Sequence, residues 1–202
     1  DEMFPWMPED AFVATGSKFF TNESLTDAMR YARAAAFVPF RYVLTKEWAE
    51  TQCIQVKSAR SELRVWEAAD PNGHYAMGID PAYGSSDEAD RSVISVYRCF
   101  SDKCYQVAEF ATPSVSTYQC AWVIAHLSGY YRNVMVTLEI TGPGQSVQQE
   151  LDMLRRRAGE VNFGDDKNPN IRNVFSAMRY YLYRRIDMMS GQGAFHWKMS
   201  GD

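Results

Sequence analysis

Two alternating apolar segments, each delivering a carboxylate into a glycine-rich turn, constrain this chain more than any other feature. Asp80 stands in Tyr75-Ala-Met-Gly-Ile-Asp-Pro-Ala-Tyr-Gly84, and Glu139 in Val134-Met-Val-Thr-Leu-Glu-Ile-Thr-Gly-Pro-Gly144. Strand periodicity places Ala76, Gly78 and Asp80 on one face of the first segment, with Met77 and Ile79 on the other. In the second, Val134, Val136, Leu138 and Ile140 share a face, so Met135, Thr137 and Glu139 point the opposite way. An ionised carboxylate beside an apolar run is costly because desolvation disfavours its charge, so two such sites in one domain call for a compensating partner. A divalent cation is the natural one. Acids at the ends of two neighbouring strands suit a pair of hard cations about 3.5–4 Å apart, an arrangement that serves phosphodiester cleavage.

Each acid also has an ordinary structural reading. An Asp-Pro after a strand is commonly a turn initiator or helix cap, and a Glu before Thr-Gly-Pro-Gly can be an edge-strand charge. Taken singly, either acid is weak evidence for a site. Their matching strand-to-turn junctions, separated by a hairpin and a helix, favour the site reading.

The order of elements supports a mixed sheet. The pattern predicts strands at about 74–80, 92–100 and 104–111, a helix at about 116–130, a strand at 134–140 and a helix at about 144–158. Three strands joined by tight connections are expected to be antiparallel, and a strand arriving after a helix is free to pair parallel to the first. This βββαβα order predicts an α/β domain in which Asp80 and Glu139 meet if the fourth strand lies beside the first. Upstream, a helical pattern covers roughly 24–36, and the short stretches Cys53–Val56 and Leu63–Glu67 read as a hairpin. Downstream, Gly164–Asn170 reads as a loop and a long helix is expected from about Ile171 to Met189, ended by Ser190-Gly-Gln-Gly193.

With 202 residues, 46% of them hydrophobic and 23% charged, the chain has room for one core domain and an accessory segment. It contains no run of the ~18 apolar residues a membrane helix needs, and its acidic start lacks the pattern of a signal peptide, so an intracellular protein is expected. Cys53, Cys99, Cys104 and Cys120 lack CxxC spacing and read as reduced, buried thiols; the three histidines are too dispersed to form a metal site. A net charge of −4 argues against wholesale wrapping of nucleic acid. Local charge is another matter: Arg179, Arg184 and Arg185, interleaved with Tyr180, Tyr181 and Tyr183, form a stripe suited to tracking a phosphate backbone. Its plainer reading is a solvated helix face whose tyrosines enter the core.

These segments, in this order, resemble the RNase H-like superfamily, and more closely the C-terminal nuclease domain of the large terminase subunit of tailed bacteriophages. The resemblance is carried by Pro8–Phe12 with Gly16 and Phe19-Phe20, by Leu63–Glu67, by Gly73 and Tyr75–Gly84, by Asp90–Ile94, and by Ala121–Tyr131 followed by Val134–Gly144 and Val147. Together they cover most of residues 5–155, and their order and spacing are more specific than any one motif. The resemblance implies a metal-dependent endodeoxyribonuclease that cuts concatemeric double-stranded viral DNA during packaging, with an RNase H-like mixed sheet flanked by helices. It implies Mg²⁺ or Mn²⁺ at a two-metal site, held by Asp80 and Glu139, with Asp90 as a further acid and Asp87 a weaker substitute. It also implies portal, procapsid and small terminase subunit as partners, no membrane, and a place in the host cytoplasm rather than the mature virion.

Two departures from that family shape the expected organisation. Its third carboxylate has no clear counterpart among Asp165, Asp166, Asp187 and Asp202, so it is expected beyond residue 202. No GxxxxGK[ST] phosphate loop is present, so residues 1–50 read as a linker or subdomain after an ATPase motor domain that precedes residue 1, with a C-terminally truncated nuclease domain at 51–202. The competing readings are another RNase H-like enzyme such as a resolvase or transposase core, half of an actin-like ATPase, which the chain is too short to complete, and a non-catalytic module docking on portal or capsid.

Overall fold

In a computed structural model, the described residues are 21–45, 51–84, 90–140 and 142–160, with a short strand pair at 185–186 and 193–194. The chain divides into two compact units, Asp1–Ala36 and Phe37–Asp202. The first contains helix α1 (Asn22–Ala34), which starts where the Thr21 hydroxyl accepts the Ser24 N–H at 3.1 Å.

The second unit is built on a seven-stranded sheet. Its strands are β1 (Val38–Val43), β2 (Gln52–Gln55), β3 (Leu63–Val65), β4 (His74–Asp80), β5 (Ser92–Cys99), β6 (Cys104–Thr112) and β7 (Val134–Leu138), in the spatial order β2-β1-β3-β6-β5-β4-β7. Every pairing is antiparallel except β4 with β7, which is parallel. The sheet is thus mostly antiparallel within a mixed α/β fold, and the expected relation between the first and fourth core strands is present.

Two expectations fail. Cys53–Val56 and Leu63–Glu67 do not pair with one another: β1 lies between β2 and β3 and pairs with both. The missing element is Val38-Pro-Phe-Arg-Tyr-Val43, whose proline argues against a strand. Pro39 is tolerated because it lies at the end of the β2 register, which begins at Phe40; on that side it uses its carbonyl, which accepts the Val56 N–H at 3.0 Å, and its missing N–H falls past the last paired residue. Residues 38–43 therefore fold with the second unit. The expected 171–189 helix lies mostly outside the described residues, but it does not run through Arg185–Ile186, which is strand β8 paired antiparallel with β9 (Gly193–Ala194).

Helices α2 (Thr117–Tyr131) and α3 (Pro143–Glu160) share one core with the sheet, including Met77, Ile94, Phe110, Val136 and Leu154. Helix α2 opens with a capping box in which the Ser116 hydroxyl accepts the Gln119 N–H and the Gln119 side chain accepts the Ser116 N–H. It is buried around most of its circumference, as a helix packed on several sides must be. Trp122 Nε1 donates to Glu150 at 2.9 Å, tying α2 to α3. The helix ends at Arg132 with φ 49° and ψ 173°, a region that glycine alone enters freely, followed by Asn133 at φ 37°. The four cysteines are free; Cys120 is buried, but Cys104 is exposed, contrary to the buried setting expected of it. Among the described residues no helix is long and apolar enough to cross a membrane.

Candidate metal centre

Burial along β4 alternates as the sequence requires: Tyr75, Met77 and Ile79 face the core, while His74, Gly78 and Asp80 are exposed. In β7, Val134, Val136 and Leu138 are buried, and Met135 is exposed. The parallel register sets Gly78 beside Thr137 and Ile79 beside Leu138. It continues one step further through the Glu139 N–H, which donates to the Ile79 carbonyl at 3.0 Å. Asp80 and Glu139 therefore stand side by side at the strand ends, on the face away from the core. On its other flank Asp80 lies across from Val93 of β5.

The two turns are fixed from beneath. The buried Ser92 hydroxyl accepts the Ala82 N–H at 3.0 Å and anchors the chain just past Asp80. Gly142 takes a left-handed φ of +56°, and Pro143 opens α3 with its preset φ. Gly144 then packs so closely on the Glu139 carbonyl that a Cβ there would overlap it. The sequence Glu139-Ile-Thr-Gly-Pro-Gly144 is thus a device for bringing the start of a helix against the backbone of its acid. Ser92 shares the buried face of β5 with Ile94 and Val96, and nothing local in the sequence pointed to its partner.

The electrostatics match that geometry. Desolvation raises the Asp80 carboxyl above its ordinary range; the charge of Glu139, a hydrogen bond between the two carboxyls, and the charge of Asp90 raise it further. A divalent cation placed between the two carboxylates would relieve that like-charge contact. The donor set therefore suits a hard cation: Asp80 and Glu139 as ligands, with Asp90 at longer range.

Among the described residues no group of three or more His, Cys, Asp or Glu side chains forms a complete cation site. Asp87, Asp165, Asp166, Asp187 and Asp202 lie outside the described residues, as do Arg179 and Arg184. Arg185 lies on β8, in a two-stranded sheet separate from the one that carries the acids.

Fold and site together define a mixed α/β protein with a paired-acid strand end. No protein-family model matches the chain, and no curated protein matches it. Among solved structures the chain is similar to the large terminase nuclease from thermophilic phage G20c with bound magnesium, at 18% identity and a TM-score of 0.40, over 59% of this chain and 63% of that one. The cobalt-bound structure of that nuclease gives the same values, and a third structure of it gives a TM-score of 0.38. The chain thus spans less than two thirds of the length of these structures.

Proposed function

We propose that this chain is a metal-dependent endodeoxyribonuclease domain of the terminase type, cutting double-stranded viral DNA with low sequence specificity. The observation that carries the reading is the carboxyl pair of Asp80 and Glu139, set side by side at the ends of adjacent parallel strands. It is supported by the order of sequence segments that resembles the terminase nuclease domain, and by a core of three antiparallel strands, a crossover helix and a parallel fourth strand.

In this reading Asp80 and Glu139 hold the catalytic cations, and Asp90 adds negative charge nearby. Bound Mg²⁺ or Mn²⁺ supplies Lewis-acid stabilisation and an activated water for phosphodiester hydrolysis. The protein contributes position. Ser92 holds the turn after Asp80, Gly144 holds α3 against Glu139, and the small residues Ala76 and Gly78 leave room for a sugar-phosphate backbone on the same face. Phosphate contacts of this kind orient DNA without reading its sequence. Portal, procapsid, small terminase subunit and a preceding ATPase motor are the partners that belong to this proposal, with the host cytoplasm as its setting.

The test is Mn²⁺-dependent nicking of supercoiled plasmid by the chain, beside Asp80→Ala and Glu139→Ala. Loss of a catalytic cation removes several kcal/mol of transition-state stabilisation, about a thousandfold in rate. Each variant is expected to lose nicking on that scale with an unchanged or raised melting temperature. A wild-type chain that neither nicks nor binds Mn²⁺, even when extended past residue 202, is instead the docking module.

A further inference from the structure

A second site lies at the opposite end of β4 from Asp80, about 20 Å away at ~3.3 Å per strand residue. Here a cleft of about 710 Å³ opens between the edge strand β2, the last turn of α2 and the Ala69–Pro71 loop. That volume falls in the range of small-molecule pockets. Its lining includes two charged residues, Asp70 and Arg132. Asp70 is already paired with Arg98 at 2.6 Å, whereas Arg132 has no ion pair among the described residues. Among the described residues, the cleft therefore presents one positive charge without a counter-ion.

Arg132 is also held in place at a cost. Its N–H donates to the Ser128 carbonyl at 3.1 Å, and the next residue's carbonyl accepts the Tyr75 N–H at 3.1 Å, fixing a backbone that only glycine adopts without strain. Strain that surrounding structure enforces is a pointer to function. Tyr130, 49% exposed, lines the same cleft as Arg132 and Pro71, giving an aromatic surface against which a flat group can stack. The same lining contains Thr51, whose hydroxyl oxygen is shielded from water and has no partner among the described residues.

We infer that this cleft binds a planar aromatic anion of nucleoside monophosphate type, its ring against Tyr130 and its phosphate on Arg132. The site needs no metal and is independent of the carboxylate pair.

The probes are dAMP, deoxyadenosine and inorganic phosphate, titrated calorimetrically into the full chain in EDTA. The expected result is saturable binding of one dAMP per chain, weakened about tenfold or more in Arg132→Gly, as loss of a charge-assisted contact predicts, and largely kept in Arg132→Lys. Arg132→Gly relieves the φ strain, so it folds, and its melting temperature checks this. Asp80→Asn is expected to bind dAMP as the wild type does, which separates this site from the proposed nuclease centre. Four outcomes overturn the inference: no saturation by dAMP at about 10 mM, far above useful affinity; inorganic phosphate or deoxyadenosine binding as tightly as dAMP; unchanged binding in Arg132→Gly; or loss of binding in Asp80→Asn.

Discussion

The two ends of β4 treat polar residues in opposite ways. At its start, the polar groups packed around the strand are answered, Arg132 and Thr51 of the neighbouring cleft being exceptions among the described residues. Tyr75 Oη accepts the Asp70 N–H at 2.8 Å, the Tyr131 hydroxyl donates to the Glu67 carbonyl at 3.1 Å, and Arg98 is clasped by both Glu67 and Asp70. At its finish, Asp80 is set against Glu139, with Asp90 adding more charge of the same sign. One strand thus runs from charge complementarity to charge conflict. Folding alone explains these contacts at the first end, since each lowers the energy of the native chain. It does not explain the second, where substituting either acid by a neutral residue would remove repulsion. Groups whose ionisation is disturbed in this way mark functional sites.

The comparison breaks if the starting end matters to activity as much as to stability, and the largest effect tests this. Tyr131 is 1% exposed, with its ring packed 5.0 Å from that of Tyr75. Tyr131→Ala empties that space and strips the Glu67 carbonyl of its donor, so about 3–5 kcal/mol of stability should be lost in urea melts. Nicking by the fraction that stays folded should be unaltered. Substituting Asp80 or Glu139 should do the reverse.

A smaller effect sharpens the contrast through pH. Because the folded Asp80 carboxyl titrates above its unfolded value of about 3.9, the native state holds its proton more tightly. Its contribution to stability is complete below the unfolded value and is lost as pH rises through the raised folded one. Asp80→Asn should therefore melt higher than the wild type at neutral pH in EDTA, the gap closing on acidification through the carboxylate range. Saturating Mn²⁺ should raise the wild-type melting temperature and leave that of Asp80→Asn unmoved, because a ligand of the native state stabilises it by mass action. Asp80 is exposed, so solvent screening keeps the pH effect small.

Much of this contrast was legible in the sequence, for a physical reason. Alternation of period two in 75–80 and 134–139 settles which face each acid takes, whatever the strands pair with. Pairing is different, because it depends on residues far apart in the chain. The 53–56 and 63–67 segments look like a hairpin until β1 takes the place between them, and Pro39 hides β1 from local propensity. The same holds inside the site. Ser92 and Gly144 are unremarkable in isolation and matter only because one meets the turn after Asp80 and the other the carbonyl of Glu139. The strained turn at Arg132 has no sequence signal at all, since an Arg-Asn pair after a helix is ordinary.

The smallest expected effect bears most directly on where a substrate lies. Gly78 is on the exposed face of β4, beside Thr137 and two residues from Asp80, and among the described residues nothing stands within 4 Å of where its Cβ would be. Glycine inside a strand costs about 0.5–1 kcal/mol relative to alanine. Gly78→Ala should therefore raise the melting temperature by a few degrees at most. The protein's own packing gives no reason for glycine at this position. If the open face receives the sugar-phosphate backbone, the added methyl group intrudes on it, and nicking should fall several-fold while Mn²⁺ binding, measured calorimetrically, stays at the wild-type level. Unchanged nicking would place the substrate elsewhere, reached by Asp80 and Glu139 from the strand ends and not across the sheet.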